Sequence, residues 1–184
     1  MVLHIKGGYM DTNKSPKKKN LRHLLLLSIL TAMALTLFLV EAQIPLPIGI
    51  AGVKLGLANL VTLFLLVKFS ARDAAAVLGM RIFLGNLFTG QAVSLLYSLA
   101  GGILSLVVML LLCRILKGKS IWFVSVMGGI SHNLGQILIA MCLLGVGGVL
   151  YYLPFLLVSG ILMGLLTGLV TQGFLAAWDR LHIQ

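Results

Sequence analysis

From Leu24 to Val40 the chain carries no charged side chain, and Ala74–Cys113 holds a single one, Arg81. A soluble domain does not look like this. Such domains carry roughly 25% charged residues, whereas this chain has 10%, with 60% hydrophobic residues. Several apolar runs approach the ~20 residues that cross a bilayer as helix. The chain therefore reads as an all-α polytopic membrane protein. A soluble enzyme is excluded, and so is a nucleic-acid-binding domain, although the net charge is +10.

Breaks between the runs set out six spans. The first is Leu24–Val40, after a basic arm over residues 1–20 that is expected to stay disordered. A signal peptide has an apolar region of about 7–15 residues, and this one is longer, so it is expected to be retained. The stretch Glu41–Gly52 contains Pro45, Pro47, Gly49 and Gly52 and cannot form a regular helix. It is nevertheless apolar, so it must be buried in protein or line a cavity, and it is expected to act as an outer loop closing over a site. The remaining spans are Lys54–Val67, Ala74–Gly90, Ala92–Cys113, Ile121–Leu144 and Leu150–Ala177, with Gly145–Gly148 as a flexible uncharged turn. Cys113 and Cys142 are distant and show no disulfide or metal spacing. They are expected to be buried apolar thiols.

Basic residues set the orientation. With the N-terminus inside, 12 of the 14 Lys and Arg residues fall on the cytoplasmic side, leaving Lys54 outside and Arg81 within a span. This asymmetry predicts both termini in the cytoplasm.

Polar groups inside a membrane are costly and mark functional sites. Arg81 cannot shed its charge, and its own span holds no acid. It requires helix-end carbonyls, Glu41, water or an anionic ligand, and either a structural anchor or a ligand contact satisfies the sequence. His132 and Gln136 are four apart and share a helical face, and Asn133 adjoins Gln136. They read either as interhelical hydrogen bonds or as the wall of a wet pocket. Lys54 and Asn59 lie at the outer end of the second span and Asn86 at that of the third. Lys54 also has the option of snorkelling to the surface. Together, Lys54, Asn59, Arg81, Asn86, His132, Asn133 and Gln136 describe a substrate site of net positive sign, suited to an anionic solute.

Two small-residue stripes stand out. Gly160, Gly164 and Gly168 put three glycines on one helical face, for internal packing or a subunit contact. Ser28, Ala32 and Thr36 do the same on the first span, for internal packing or docking of another membrane protein.

Some chemistry has no residues to support it. There is no phosphate-binding P-loop, and Asp11, Glu41, Asp73 and Asp179 are all isolated. Magnesium-dependent prenyl-diphosphate chemistry needs paired aspartates. No catalytic residue, metal site or cofactor is expected, and the chain reads as a non-enzyme.

The strings Pro45-Leu46-Pro47, Val53-Lys54-Leu55-Gly56-Leu57-Ala58-Asn59, Arg81-Ile82-Phe83-Leu84-Gly85-Asn86, His132-Asn133-Leu134-Gly135-Gln136 and Tyr151-Tyr152-Leu153-Pro154 resemble the Gx transporter family, commonly labelled heptaprenyl diphosphate synthase component I. The resemblance covers about Leu21–Ala177. That family is similar in plan to the substrate-binding S components of energy-coupling factor transporters. The resemblance implies six helices in a bacterial cytoplasmic membrane and uptake of a small vitamin-like or anionic solute. It also implies docking of the Ser28/Ala32/Thr36 face on a transmembrane T component that works with ATPase subunits. The family label implies an alternative role as a membrane accessory subunit in heptaprenyl diphosphate or quinone-related metabolism.

Overall fold

The computed structural model describes residues 16–43, 56–90, 92–117 and 119–182. These residues form helices and no strands: α1 (Pro16–Ala42), α2 (Asn59–Lys68), α3 (Ala71–Thr89), α4 (Ala92–Leu116), α5 (Ile121–Leu144), α6 (Val146–Leu150) and α7 (Leu153–His182). Four stretches are long and apolar enough to cross a membrane, namely Leu21–Ala42 of α1, α4, α5, and Leu153–Arg180 of α7. The second run becomes helical only at Asn59, five residues later than its hydropathy suggests. The expected glycine turn after α5 is the short helix α6, entered through Gly145 at φ +83°.

The organising element is α2. At ten residues it is about 15 Å long, half of the ~30 Å hydrocarbon layer. Asn59 through Leu65 are buried without a break, as expected of a helix that is apolar all round and enclosed by protein. It touches α1, α3, α4, α5 and α7. Leu63 and Leu65 pack there with Leu30 and Ala34 of α1, Val77 of α3, Met109 of α4 and Val124 of α5. A second apolar cluster joins Tyr97, Ile137, Ala140, Val149 and Leu156. Along α5 these clusters are separated by His132, Asn133 and Gln136, so a polar layer lies between two apolar ones.

Close backbone approach holds α5 between its neighbours. A Cβ on Gly164 would stand 2.5 Å from Val126 Cα, and one on Gly168 would stand 2.9 Å from Trp122 Cα. Gly160 faces Gly129 in the same way. The stripe on α7 thus lies against α5, tied also by a 2.9 Å hydrogen bond between the Ser125 and Thr167 hydroxyls. On the opposite side, Gly135 faces the Ala100 carbonyl and Gly101 faces that of His132.

The basic end of the bundle is latched. Ser70 and Asp73 form a reciprocal capping box at the start of α3. His23 of α1 reaches Asp73 at 3.0 Å, and Lys68 donates to Asp179 of α7. Trp178 packs edge-on to Phe64 and Phe69. The expectation of two buried thiols is corrected. Cys113 is half-buried and Cys142 is exposed, because hydropathy reports an apolar environment without saying whether protein or lipid provides it.

Gly164→Val is expected to cost about 1–3 kcal/mol or more through overpacking and to lower the melting temperature by several degrees. Gly173→Ala, with open space around its added Cβ, is expected to be near neutral in the same thermal scan.

The latch also predicts a pH dependence. Burial raises the Asp73 carboxyl, but hydrogen bonds from Ser70 and His23 outweigh it and hold the group below its ordinary 3.8. A depressed carboxyl contributes stability that is complete above the unfolded value and is lost as the pH falls through the folded one. Melting temperatures are therefore expected to drop as the pH falls below about 4, and the drop is expected to be smaller in Asp73→Asn.

Candidate functional site

The site is built where α2 begins. α2 ends at Lys68 on the basic end and is only about half a bilayer long, so its first residues start inside the helical bundle among buried side chains. Their backbone N–H groups need partners there, since none come from hydrocarbon. Glu41, at the end of α1, supplies them. Its carboxylate accepts from the N–H of Gly56 at 2.5 Å and that of Leu57 at 3.0 Å. An anion at this position is favoured by the α2 dipole as well as by the bonds themselves. Gly56 adopts φ +88°. A Cβ there would also press on Asn59 Nδ2 at 3.1 Å and the His132 ring at 3.2 Å. Glycine therefore serves both the left-handed turn and the close packing of Asn59 against His132.

From this turn the polar layer spreads across the bundle. His132 Nε2 lies 2.7 Å from Gln136 Nε2, and the ring also rests against Gly101 of α4. Asn59, His132 and Gln136 are all buried, and the first two meet over Gly56. Asn133 turns the other way. Its Nδ2 donates to the Leu156 carbonyl and to Ser159 Oγ of α7, while its Oδ1 is buried without a hydrogen-bond partner among the described residues. The adjacency of Asn133 and Gln136 on one helix thus resolves into two directions.

Arg81 of α3 is 3% exposed. Its guanidinium carbon sits 5.5 Å from the centroid of the Phe38 ring, a cation–π contact, and it feels the charge of Glu41. Its Nε and Nη2 are buried without hydrogen-bond partners among the described residues. Asn59 Nδ2 and Asn86 Oδ1 are in the same condition. Asn86 is half-buried on the last turns of α3. Lys54 and the loop Pro45–Gly52 lie outside the described residues.

Glu41, Gly56 and Phe38 belong to this arrangement. Glu41 was legible as the nearest acid to Arg81. Its role as partner to the α2 entry was not legible, because that depends on where a separate helix starts. Phe38 gave no signal within an apolar run.

Ser28, Ala32 and Thr36 are exposed. The Ser28 and Thr36 hydroxyls bond back to the Leu24 and Ala32 carbonyls of their own helix, leaving a smooth face. Ser28 and Ala32 line an apolar groove of about 410 Å³ shared with Val77 and Met80 of α3.

An all-helical bundle with four long apolar helices and a charged, hydrogen-bonding layer enclosed at its centre is a multi-pass membrane protein with an internal polar site. The profile of the family described as heptaprenyl diphosphate synthase component I matches residues 30–174, and the chain belongs to that family. No match was found among curated proteins, and none among solved structures.

Glu41→Ala would leave the Gly56 and Leu57 N–H groups unpaired and remove the charge facing Arg81. Breaking a buried charge arrangement from one side typically costs about 3–5 kcal/mol, and thermal unfolding is expected to show a loss of that order. Glu41→Gln, which keeps an acceptor, is expected to fall between wild type and Ala.

Proposed function

We propose that the chain is a membrane-embedded binding component, similar in plan to an S component, that takes up a small anionic or vitamin-like solute. The observation carrying this reading is the pair of buried Arg81 nitrogens, Nε and Nη2, that have no hydrogen-bond partner among the described residues. A guanidinium anchored only for structure would spend its donors on carbonyls or carboxylates, since each buried donor left unmade is costly. Here Phe38 holds its face and Glu41 offsets part of its charge, while two nitrogens remain available to an oxyanion. In this reading Asn59, His132 and Gln136 complete the wall, and Asn86 and Asn133 flank it.

The same reading takes the protein as six spans with both termini inside, in a bacterial cytoplasmic membrane, after an N-terminal basic arm. The Ser28/Ala32/Thr36 face then docks a transmembrane T component that works with ATPase subunits. Binding rather than catalysis fits the use of the acids. Glu41 holds the α2 entry, Asp73 caps α3, and Asp179 pairs with Lys68. The family description favours a second reading, a membrane accessory subunit of heptaprenyl diphosphate synthase. Under that reading the chain copurifies with a soluble, aspartate-rich synthase subunit instead of a T component.

The test is native mass spectrometry of the protein purified from its own membrane, with Arg81→Gln alongside. Wild type is expected to retain an adduct of fixed small mass. Arg81→Gln is expected to melt within a few degrees of wild type and to retain the adduct roughly tenfold less. That scale follows from the ~1.5–3 kcal/mol of a hydrogen bond to a charged group. A variant that unfolds, or one that keeps the adduct undiminished, assigns Arg81 to structure.

A further inference from the structure

At the basic end a cleft of about 380 Å³ opens between the α2–α3 turn and the last turns of α4. Leu66 and Phe69 form one wall, and Leu110 and Cys113 form the other. Arg114 and Lys117 stand at its mouth, both exposed. Neither makes an ion pair with any described residue. The acids described at this end are already engaged, Asp73 with Ser70 and His23 and Asp179 with Lys68.

Lys117 is also unusual in its backbone. It follows α4 at φ +48° and is the one non-glycine with positive φ among the described residues. Glycine is the usual occupant of this helix-ending position. A cation there is favoured by the α4 dipole. The dipole does not account for an apolar cleft directly beneath two uncompensated cations.

We propose that this cleft binds a phospholipid with a negatively charged headgroup. Its acyl chain lies along Leu66, Phe69, Leu110 and Cys113, and its phosphate sits between Arg114 and Lys117. The two parts of the cleft match the two parts of an amphiphile. The guanidinium and ammonium groups supply charge-assisted hydrogen bonds to phosphate oxygens, and the wall supplies apolar contact. Diffuse attraction of basic residues to an anionic leaflet fades within a Debye length and selects no particular position. A cleft with both features holds one lipid in place. The site is at the opposite end of α2 from the polar layer and does not depend on the transport reading.

The experiment uses the full chain in a zwitterionic detergent, with phosphatidylglycerol and phosphatidylcholine added in equal amounts and adducts counted by native mass spectrometry. Wild type is expected to carry phosphatidylglycerol in at least about tenfold preference. Each basic residue near a membrane surface contributes roughly a fivefold effect. Arg114→Gln with Lys117→Gln is therefore expected to remove the preference at unchanged melting temperature. Lys117→Gly suits the backbone at that position, so it folds whatever the double variant does, and it is expected to lose about fivefold. Leu110→Trp keeps both cations but fills the cleft, and it too is expected to lose the adduct. Glycerol phosphate in large excess is expected to leave the lipid in place. Equal binding of the two lipids to wild type, or an undiminished preference in the charge variants, would overturn the proposal. Displacement by glycerol phosphate as effective as by phosphatidylglycerol itself would make this a free-phosphate site and overturn the lipid assignment.

Discussion

The Glu41 carboxylate and the two backbone N–H groups it receives hold the centre of this structure together. A ten-residue helix that starts inside the bundle has backbone donors to satisfy among buried side chains, and one side chain from the preceding helix takes them. That choice places a buried negative charge there. The charge makes a buried arginine tolerable nearby, and the arginine brings a second demand for oxygen ligands that the described residues do not fully meet. The polar layer of Asn59, His132 and Gln136 forms around the same turn because Gly56 lets side chains approach where any Cβ would stand. Removing the carboxylate would affect the entry to α2, the setting of Arg81 and the packing over Gly56 together.

The two ends of α2 perform different work. At Lys68 the chain is fastened: a capping box, an ion pair to α7 and an aromatic cluster around Trp178 tie the first, second, third and last helices into one unit. At Gly56 the Glu41 carboxylate holds the entry to α2, and a buried polar layer of Asn59, His132 and Gln136 lies beyond it. The packing is thus apolar and aromatic at one end and polar at the other. The glycines that bring α5 against both α4 and α7 reinforce this. They remove side-chain volume from those contacts, so α5 can carry its polar residues without leaving voids behind them.

Much of the architecture was legible in the residues. The fifth run has the same bounds as α5, since the charged, serine-bearing sequence Lys117–Ser120 marks its beginning and the glycine-rich sequence from Gly145 marks its end. The capping box of Ser70 and Asp73 at the start of α3 was not among the expectations, although it depends only on the local spacing of two side chains. The second run was less legible. It was expected to run from Lys54, but the backbone turns through Gly56 at positive φ, and only Asn59 begins the helix. The direction of Asn133 was also hidden. Helical spacing placed it beside Gln136, whereas the close approach of α7 through Gly160 gave it carbonyl and hydroxyl partners on the far side.

The amino-acid sequence by itself determined that this chain enters a bilayer, that its helices fall where charge is absent, and that a few polar side chains are committed to the interior. These follow from transfer free energies and helical periodicity, which are properties of short stretches. The tertiary structure decided which apolar surfaces meet protein and which remain open to lipid. It enclosed Asn59–Leu65 of α2 while leaving Phe83, Leu87, Phe88 and Cys142 exposed, a distinction hydropathy does not contain because both environments are equally apolar. It also decided which buried groups pair. Glu41 and Gly56 are fifteen residues apart, and Arg81 and Phe38 lie on different helices. Their meeting depends on how closely glycine faces allow those helices to pack, which no local pattern specifies.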